Sequence, residues 1–324
     1  MPHEMTRQSP PERPDARFGA GVTNAVPGAP DAASPPSRHT FPAQPFHGLD
    51  ELWLQVAGTF CNLTCRHCFV TCGPAEARHA MMTRPEVAAR VAEALPLGVR
   101  EVYLTGGEPF LNPELEGIVE DTLAHTPVTI LTNGTLFTER RLAWLARTTE
   151  ASRHSLELRI SLDGLEAAAH DAFRGAGAWA RTMAGLRALV AVGLEPIVTV
   201  TQTTAEDRRA FAARALAALQ AEGVPRARLK LLPMFRLGRQ AANSDADAVE
   251  PTLATLPAEA FDPHRLQCGH ARAVTSRGVF VCPLLVDEPG GRMADTLAES
   301  ARAFPLAHSA CATCWVTGMT CANA

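Results

Sequence analysis

Three thiols on one short stretch are the chemistry this sequence offers first. Cys61, Cys65 and Cys68 lie within eight residues, spaced Cys-x3-Cys-x2-Cys. Three thiolates at that spacing can hold three irons of a four-iron cluster and leave the fourth iron without a protein ligand. An iron left open in this way is a place where a small molecule can bind. A structural zinc site is the other chemistry open to the same thiols, and it would need a fourth ligand, which His67 or Cys72 could supply. A second motif, Gly106-Gly107-Glu108-Pro109, has two residues without side chains and one carboxylate. Its backbone can pass close to a ligand, and its carbonyls and the Glu108 carboxylate can accept hydrogen bonds from an ammonium group.

The elements that must carry these motifs follow from hydrophobic periodicity. Leu52 to Val56 alternates and reads as a strand, which puts the cysteines on the loop leaving its end. Thr83-Arg84-Pro85-Glu86 is a capping box with proline in the first turn, followed by the apolar face Val87, Val91, Leu95. Further strands are expected at Glu101–Leu104, Val128–Leu131, Leu156–Leu162, Ile197–Thr201 and Leu229–Leu232. The intervening helices are capped by Asn112-Pro113 and Thr138, or run over 179–192 and 206–222. Six strand–helix units in this order argue a parallel sheet with helices outside it. A closed eight-unit barrel needs about 250 residues, so the expectation is an α/β fold, a partial (β/α)6 barrel. Every polar or glycine-rich motif then falls at a strand's C-terminal end, where such folds place their chemistry.

The cysteine triplet after a first strand, with Gly-Gly-Glu-Pro after the second, resembles the radical S-adenosylmethionine (radical SAM) superfamily. The resemblance covers about residues 50–320. It implies a [4Fe-4S] cluster on Cys61, Cys65 and Cys68, whose open iron binds the amino and carboxylate groups of S-adenosylmethionine. One electron then splits the sulfonium, and a 5′-deoxyadenosyl radical takes a hydrogen atom from a substrate. It further implies that Gly106, Gly107, Glu108 and Pro109 hold the cofactor's amino group. Asn133, Ser161 and Asp163 resemble the positions that contact its ribose and methionine parts, although Asn-Gly and Asp-Gly pairs also make turns unaided. Arg174, in the segment His170-Asp171-Ala172-Phe173-Arg174-Gly175, resembles an arginine that pairs with the cofactor carboxylate; the alternative is a solvated charge at a helix end.

Beyond a polar stretch, the late cysteines resemble a twitch domain, a truncated relative of the SPASM auxiliary-cluster domain. Cys268, the hairpin glycine Gly278, Cys282, and the Cys311-x2-Cys314 pair carry the likeness, and four thiolates suffice for one auxiliary [4Fe-4S] cluster. A zinc ribbon is the non-iron alternative. Cys321 is a replacement ligand for Cys314, a spare thiol or a hydrogen-atom donor, and Cys72 is the other thiol left over for that last role. The domain reading is a Pro/Ala-rich tail over 1–48 without a regular element, the partial barrel over 49–239, a linker over 240–264, and the auxiliary-cluster domain over 265–324. A short helix is expected near 297–304.

Composition restricts the partners. The net charge is −4 and Lys230 is the only lysine, so there is no basic footprint for nucleic acid. No run approaches the ~18 apolar residues of a membrane span. The first residues lack the apolar core of a signal peptide, and an odd number of cysteines without export signals points to the reducing cytoplasm. The expected function is oxidation or epimerisation of a small-molecule substrate, with an electron donor such as flavodoxin or ferredoxin. A peptide- or protein-modifying maturase and a non-enzymatic iron–sulfur or zinc protein are the competing readings. Strand-end residues Thr199, Thr201, Gln202, Met234 and Arg236 are the expected lining of the substrate pocket.

Overall fold

The computed structural model describes residues 41–202, 206–243, 252–254, 256–318 and 321. The expected tail lies mostly outside them, as does much of the expected linker. The elements run in chain order as β1 (Ala43–Gln44), β2 (Glu51–Leu54), α1 (Arg84–Ala94), β3 (Glu101–Leu104), α2 (Leu115–Leu123), β4 (Val128–Thr132), α3 (Glu139–Ala151) and β5 (Leu156–Asp163). Then come α4 (Ala167–Arg174), α5 (Ala178–Ala191), β6 (Ile197–Gln202), α6 (Arg208–Ala221), β7 (Arg228–Pro233) and α7 (Gly238–Ala242). The last are β8 (Ala271–Thr275), β9 (Gly278–Phe280), β10 (Arg292–Ala294), β11 (Phe304–Pro305) and α8 (Ser309–Thr317).

Strands β2 to β7 pair in chain order and in parallel, as the alternating pattern predicts. The sheet stays open, with β7 at one edge and β10 at the other, so the barrel is partial. Local chemistry explains the helix starts. The Thr83 hydroxyl accepts from the Glu86 amide while the Glu86 carboxylate accepts from Thr83 N–H, so the capping box satisfies two amides at once. Thr138 caps α3 through the Arg141 amide.

Side-chain alternation divides the two faces of the sheet. Leu52, Leu54, Val102, Leu104, Val128, Ile130, Leu158, Ile160, Val198 and Val200 pack outward under the helices as one apolar core. The inner face carries Trp53, Tyr103, Arg159, Ser161, Thr199 and Thr201, and Trp53 stacks flat on Tyr103 at 4.0 Å between ring centroids. Polar residues of the inner face therefore meet each other and the cleft, as where Arg159 donates to Thr199.

Three sequence expectations change. The tail does not extend to residue 48, because β1 pairs antiparallel with β11 and Pro42 O accepts from Leu306 N–H. The hairpin β8–β9 is not built apart from the barrel. β8 adds in parallel to β2, and β9 and β10 extend the same sheet. The helix expected near 297–304 is a turn followed by β11, and the helix lies later, at α8, where it carries Cys311 and Cys314.

Arg272 locks this C-terminal part to the sheet. Its guanidinium is buried, lies 4.1 Å over the Phe46 ring, and donates to the carbonyls of Cys268, Ala271, Ser300 and Arg302. Each buried carbonyl left without a donor costs about 1–3 kcal/mol. Arg272→Ala is therefore expected to lower stability by on the order of 3 kcal/mol or more, read as a fall in the urea midpoint at unchanged slope.

Candidate functional site

The cysteine loop leaves β2 and is closed on itself before it meets anything else. Cys61 N–H donates to Gly73 O and Gly73 N–H to Thr59 O. Two other segments clamp it. Arg239, at the start of α7, donates from its guanidinium to Cys65 O at 2.5 Å and Cys72 O at 2.9 Å, and its amide donates to Cys68 O. Phe173 O, in α4, accepts from Arg66 N–H. The glycine turn after β3 docks against the same loop. Gly107 N–H donates to Gly58 O and Glu108 N–H to Phe60 O, and a Cβ on Gly107 would sit 1.9 Å from Phe60 O. No other residue fits there.

These contacts open a cleft of about 1310 Å³ between protein atoms, part of it continuous with solvent, at the C-terminal ends of the strands. Cys61, Cys65 and Cys68 line it together with Gly106, Gly107, Asn133, Ser161 and Arg174. Of the expected pocket residues, Thr199, Thr201 and Met234 line it too. Gln202 does not, because strand alternation turns it away from Thr201, and its amide donates to Glu206 O. Arg236 is not part of the lining either.

Three residues expected at the cofactor lie behind the cleft wall instead. Glu108 is fully buried, and its carboxylate accepts from the amides of Phe110 and Asn133 and from the Thr132 hydroxyl. Its oxygens are occupied in fixing the turn, and burial pushes its carboxyl above the usual carboxylate range. Pro109 is buried and opens a single 3-10 turn, Pro109–Leu111. Asp163 is buried and paired with Arg174 Nε at 2.5 Å and His67 Nε2 at 3.0 Å. Burial opposes its charge, but Arg174 and His67 outweigh it and hold the carboxyl well below the usual range. Asp163 is thus an anchor that aims Arg174 into the cleft. His67, a candidate zinc ligand by sequence, has its Nε2 on this carboxylate.

Cys72 lies against Cys68: its amide donates to the Cys68 sulfur at 3.2 Å, and the Cys72 thiol hydrogen-bonds to the same sulfur, which lowers the pKa of Cys68. Burial pushes Cys61 up to about 12. Asn133 spans the site, donating to Asn62 Oδ1 at 2.8 Å and to the Cys61 sulfur at 3.9 Å. The donor set suits an iron–sulfur cluster held by three thiolates. The three sulfurs face one cavity, and the neighbouring groups, Cys72 and Asn133, are hydrogen-bond donors to sulfur rather than oxygen ligands.

A second cavity, walled by leucines, contains Cys268, Cys282, Cys311, Cys314 and Cys321. All nine cysteines are free thiols. Cys321 lines both cavities. It is held there by its amide, which donates to Gln267 Oε1 at 2.7 Å, and by its carbonyl, which accepts from the buried Arg159. Trp53, Arg159 and Leu284 in the main cleft were not foreseen from sequence. The inward parity of Trp53 and Arg159 on β2 and β5 was the signal that could have found them.

A partial α/β barrel with a three-thiolate loop at its open end defines a metal-cluster enzyme scaffold. The Radical SAM superfamily profile matches residues 56–212, and the chain contains a radical SAM domain. That family binds a [4Fe-4S] cluster and S-adenosylmethionine. The GTP 3′,8-cyclase of Microcystis aeruginosa is 34% identical over 150 residues, 42% of this chain and 43% of that protein. The mycofactocin maturase MftC of Mycobacterium ulcerans is 33% identical over 150 residues, 45% of this chain and 39% of that protein. The subtilosin biosynthesis protein AlbA of Bacillus subtilis is 32% identical over 161 residues, 47% and 34% of the two chains. The chain thus spans less than half the length of these relatives. Among solved structures, Streptococcus suis SuiB bound to its precursor peptide SuiA aligns at TM-score 0.58 and 15% identity, covering 79% of this chain and 65% of that one. At that identity the likeness is one of fold.

Glu51, the first residue of β2, gives the fold a pH dependence. Burial raises its carboxyl to about 7, against the hydrogen bonds from Trp53 and Gln267 that lower it. A carboxyl raised in the folded state binds its proton more tightly there than in the unfolded chain. Its contribution is therefore greatest below the unfolded value of about 4.3 and is lost as pH rises through about 7. Glu51→Gln should flatten the fall in stability between pH 5 and pH 7.5 seen in the wild type, measured by urea unfolding at both (roughly the window between the two pKa values).

Proposed function

We propose that this chain uses its radical SAM domain to take a hydrogen atom from a small-molecule substrate bound in the main cleft, with oxidation or epimerisation as the outcome. The observation that carries the reading is that the three loop thiols, the glycine turn, Arg174 and Cys321 all face one cavity. When bound, the cluster and S-adenosylmethionine supply the 5′-deoxyadenosyl radical. The chain's own residues do the rest. Cys61, Cys65 and Cys68 hold three irons. The carbonyls of Gly106 and Gly107 receive the cofactor's amino group, and Arg174, aimed by Asp163, receives its carboxylate. Asn133 and Ser161 flank it. The apolar part of the lining, including Trp53, Phe69, Leu131 and Phe235, keeps water from the reacting centre.

The second cysteine cavity supports an auxiliary [4Fe-4S] cluster on Cys268, Cys282, Cys311 and Cys314. With those four as ligands, Cys321 remains a thiol at the boundary with the substrate cleft. From there it can return a hydrogen atom to the far face of a substrate carbon radical. The thiyl radical so formed is restored by one electron from a donor such as flavodoxin or ferredoxin and one proton from solvent. Cys72 is the other unassigned thiol, but its position against Cys68 makes it the weaker donor. For oxidation, Cys268, Cys282, Cys311 and Cys314 would hold an auxiliary cluster able to accept the substrate radical's electron, with the proton leaving to solvent. Among the described residues no helix is long and apolar enough to cross a membrane.

A peptide substrate is the second reading. It is favoured by the fold likeness to SuiB bound to a precursor peptide, and by the named relatives MftC and AlbA.

Anaerobically reconstituted protein should cleave S-adenosylmethionine to 5′-deoxyadenosine on reduction. Changing Cys61, Cys65 and Cys68 to Ala should abolish that cleavage and the iron–sulfur absorbance; retention of either, or zinc in place of iron, would overturn the reading. Cys268→Ala with Cys311→Ala should lower iron from about eight to about four per chain and leave the uncoupled cleavage in place. For the outcome, Cys321→Ala and Cys72→Ala are compared for deuterium uptake into product from heavy water. Loss of uptake in Cys321→Ala alone assigns epimerisation to that thiol; full uptake in both variants removes the thiol route.

A further inference from the structure

At the opposite end of the sheet from the cleft, three histidines from sequence-distant segments converge. His47 lies just before β2, His264 in the approach to Cys268, and His270 immediately before β8. One ring nitrogen from each can be chosen so that all three lie within 4.8 Å of one another. The His47 ring stacks on His264 at 4.8 Å and on His270 at 5.2 Å between centroids, at interplanar angles of 19° and 29°. We infer that these three histidines form a binding site for a divalent transition-metal ion of the zinc class, which ties the segment before β2 to the C-terminal part of the chain.

Backbone contacts hold the three residues in place whether or not an ion is bound. His47 N–H donates to Gly269 O at 2.8 Å, and Gln44 Nε2 donates to Pro263 O at 2.6 Å, so the 44–47 and 263–270 segments are sewn together beside the rings. His270 O accepts from the amides of both Asp50 and Glu51, which fixes it to the start of β2. Its Nδ1 is 3.5 Å from Asp50 Oδ2. A carboxylate on one ring nitrogen sets the tautomer and leaves the other nitrogen as the ligand, the usual support for a metal-bound histidine. The His264 amide is held by Asp262 Oδ1 at 2.9 Å. Gly269 leaves room for the approach: a Cβ there would come 2.6 Å from Gln44 Nε2 and 3.1 Å from the His47 ring, so both side chains would have to shift.

The chemistry selects the ion. Three imidazoles with no carboxylate among the ligand atoms suit zinc, nickel or copper and disfavour magnesium or calcium, which want oxygen. Three protein ligands leave a fourth tetrahedral position, here open to water because His47 and His264 are exposed. Coordination would replace the stacking and draw the three nitrogens closer than their present spread of up to 4.8 Å. This site shares no residue with the radical SAM reading, so either can fail without the other.

The test uses the cluster-loaded enzyme dialysed against micromolar zinc, with zinc and iron counted per chain. Wild type should retain one more zinc than the His47→Ala/His270→Ala double variant at equal iron. Zinc should also raise the unfolding temperature of the wild type and not that of the variant. Asp50→Asn should weaken zinc binding by on the order of 10- to 100-fold. Equal zinc in wild type and double variant overturns the inference. Should the double variant fail to load iron, His264→Ala is the replacement, because its ring is exposed and its described hydrogen bond is through the backbone. Equal zinc there overturns the inference in the same way.

Discussion

The site exists because two backbones approach more closely than side chains would allow. The glycine turn after β3 lies against the cysteine loop after β2, with Gly107 N–H on Gly58 O and Glu108 N–H on Phe60 O. The parallel pairing of β2 and β3 brings the two loops out of the sheet side by side, and the missing Cβ at Gly107 lets them touch. Glu108 then ties the same turn to β4 through Thr132 and Asn133. Three successive strand ends become one rigid wall. A buried carboxylate with three hydrogen-bond donors is an expensive way to fix a turn. Its use here is understandable if the thiols on the adjoining loop must hold positions set by a rigid cluster.

The remaining clamps have the same character. Arg239 closes the cysteine loop from beyond β7, and the Asp163–Arg174–His67 group closes it from β5 and α4. Arg239 is spent on backbone carbonyls and Arg174 on the buried Asp163, both away from full exposure. Such groups contribute little net stability once desolvation is counted. They do restrict geometry, because leaving any one without its partner is costly. The loop that carries the three thiols is thus held by contacts from β3, α4 and α7, so its shape depends on the whole half-barrel having formed.

Much of this was legible from residue types and periods. The six strands, the caps at Thr83 and Thr138, and the thiols with their glycine turn are local signals, since each is written within a few residues. What was not legible depends on contacts far apart in sequence. Glu108 and Asp163 have the residue types of cofactor contacts, and only their partners reveal them as anchors. Gln202 was placed in the pocket by its nearness to a strand end, but the two-residue period of the strand already turned it outward. The strand at Ala43–Gln44 inside the expected tail rests on a two-residue pairing with Phe304–Pro305, too short to leave a periodic trace. The C-terminal hairpin was read correctly as a hairpin, yet nothing in its own sequence says that it docks beside β2.

That docking has a consequence for the chemistry. β8 pairs in parallel with β2 from Glu51↔Ala271 to Leu54↔Val274, so Cys268 precedes the paired stretch while Cys61, Cys65 and Cys68 follow it. The two cysteine cavities nevertheless share a wall, formed by Leu284 and Cys321. A thiol in that wall is within reach of whatever occupies either side. Its backbone is held from both directions, by Gln267 on the side of the second cavity and by Arg159 on the inner face of the sheet. Gln267 in turn donates to Glu51, whose carboxyl titrates near neutrality, and Arg159 donates to Thr199 in the cleft lining. The Cys321 backbone is thereby linked through hydrogen bonds to the Glu51 carboxyl and to Thr199 in the polar lining of the cleft.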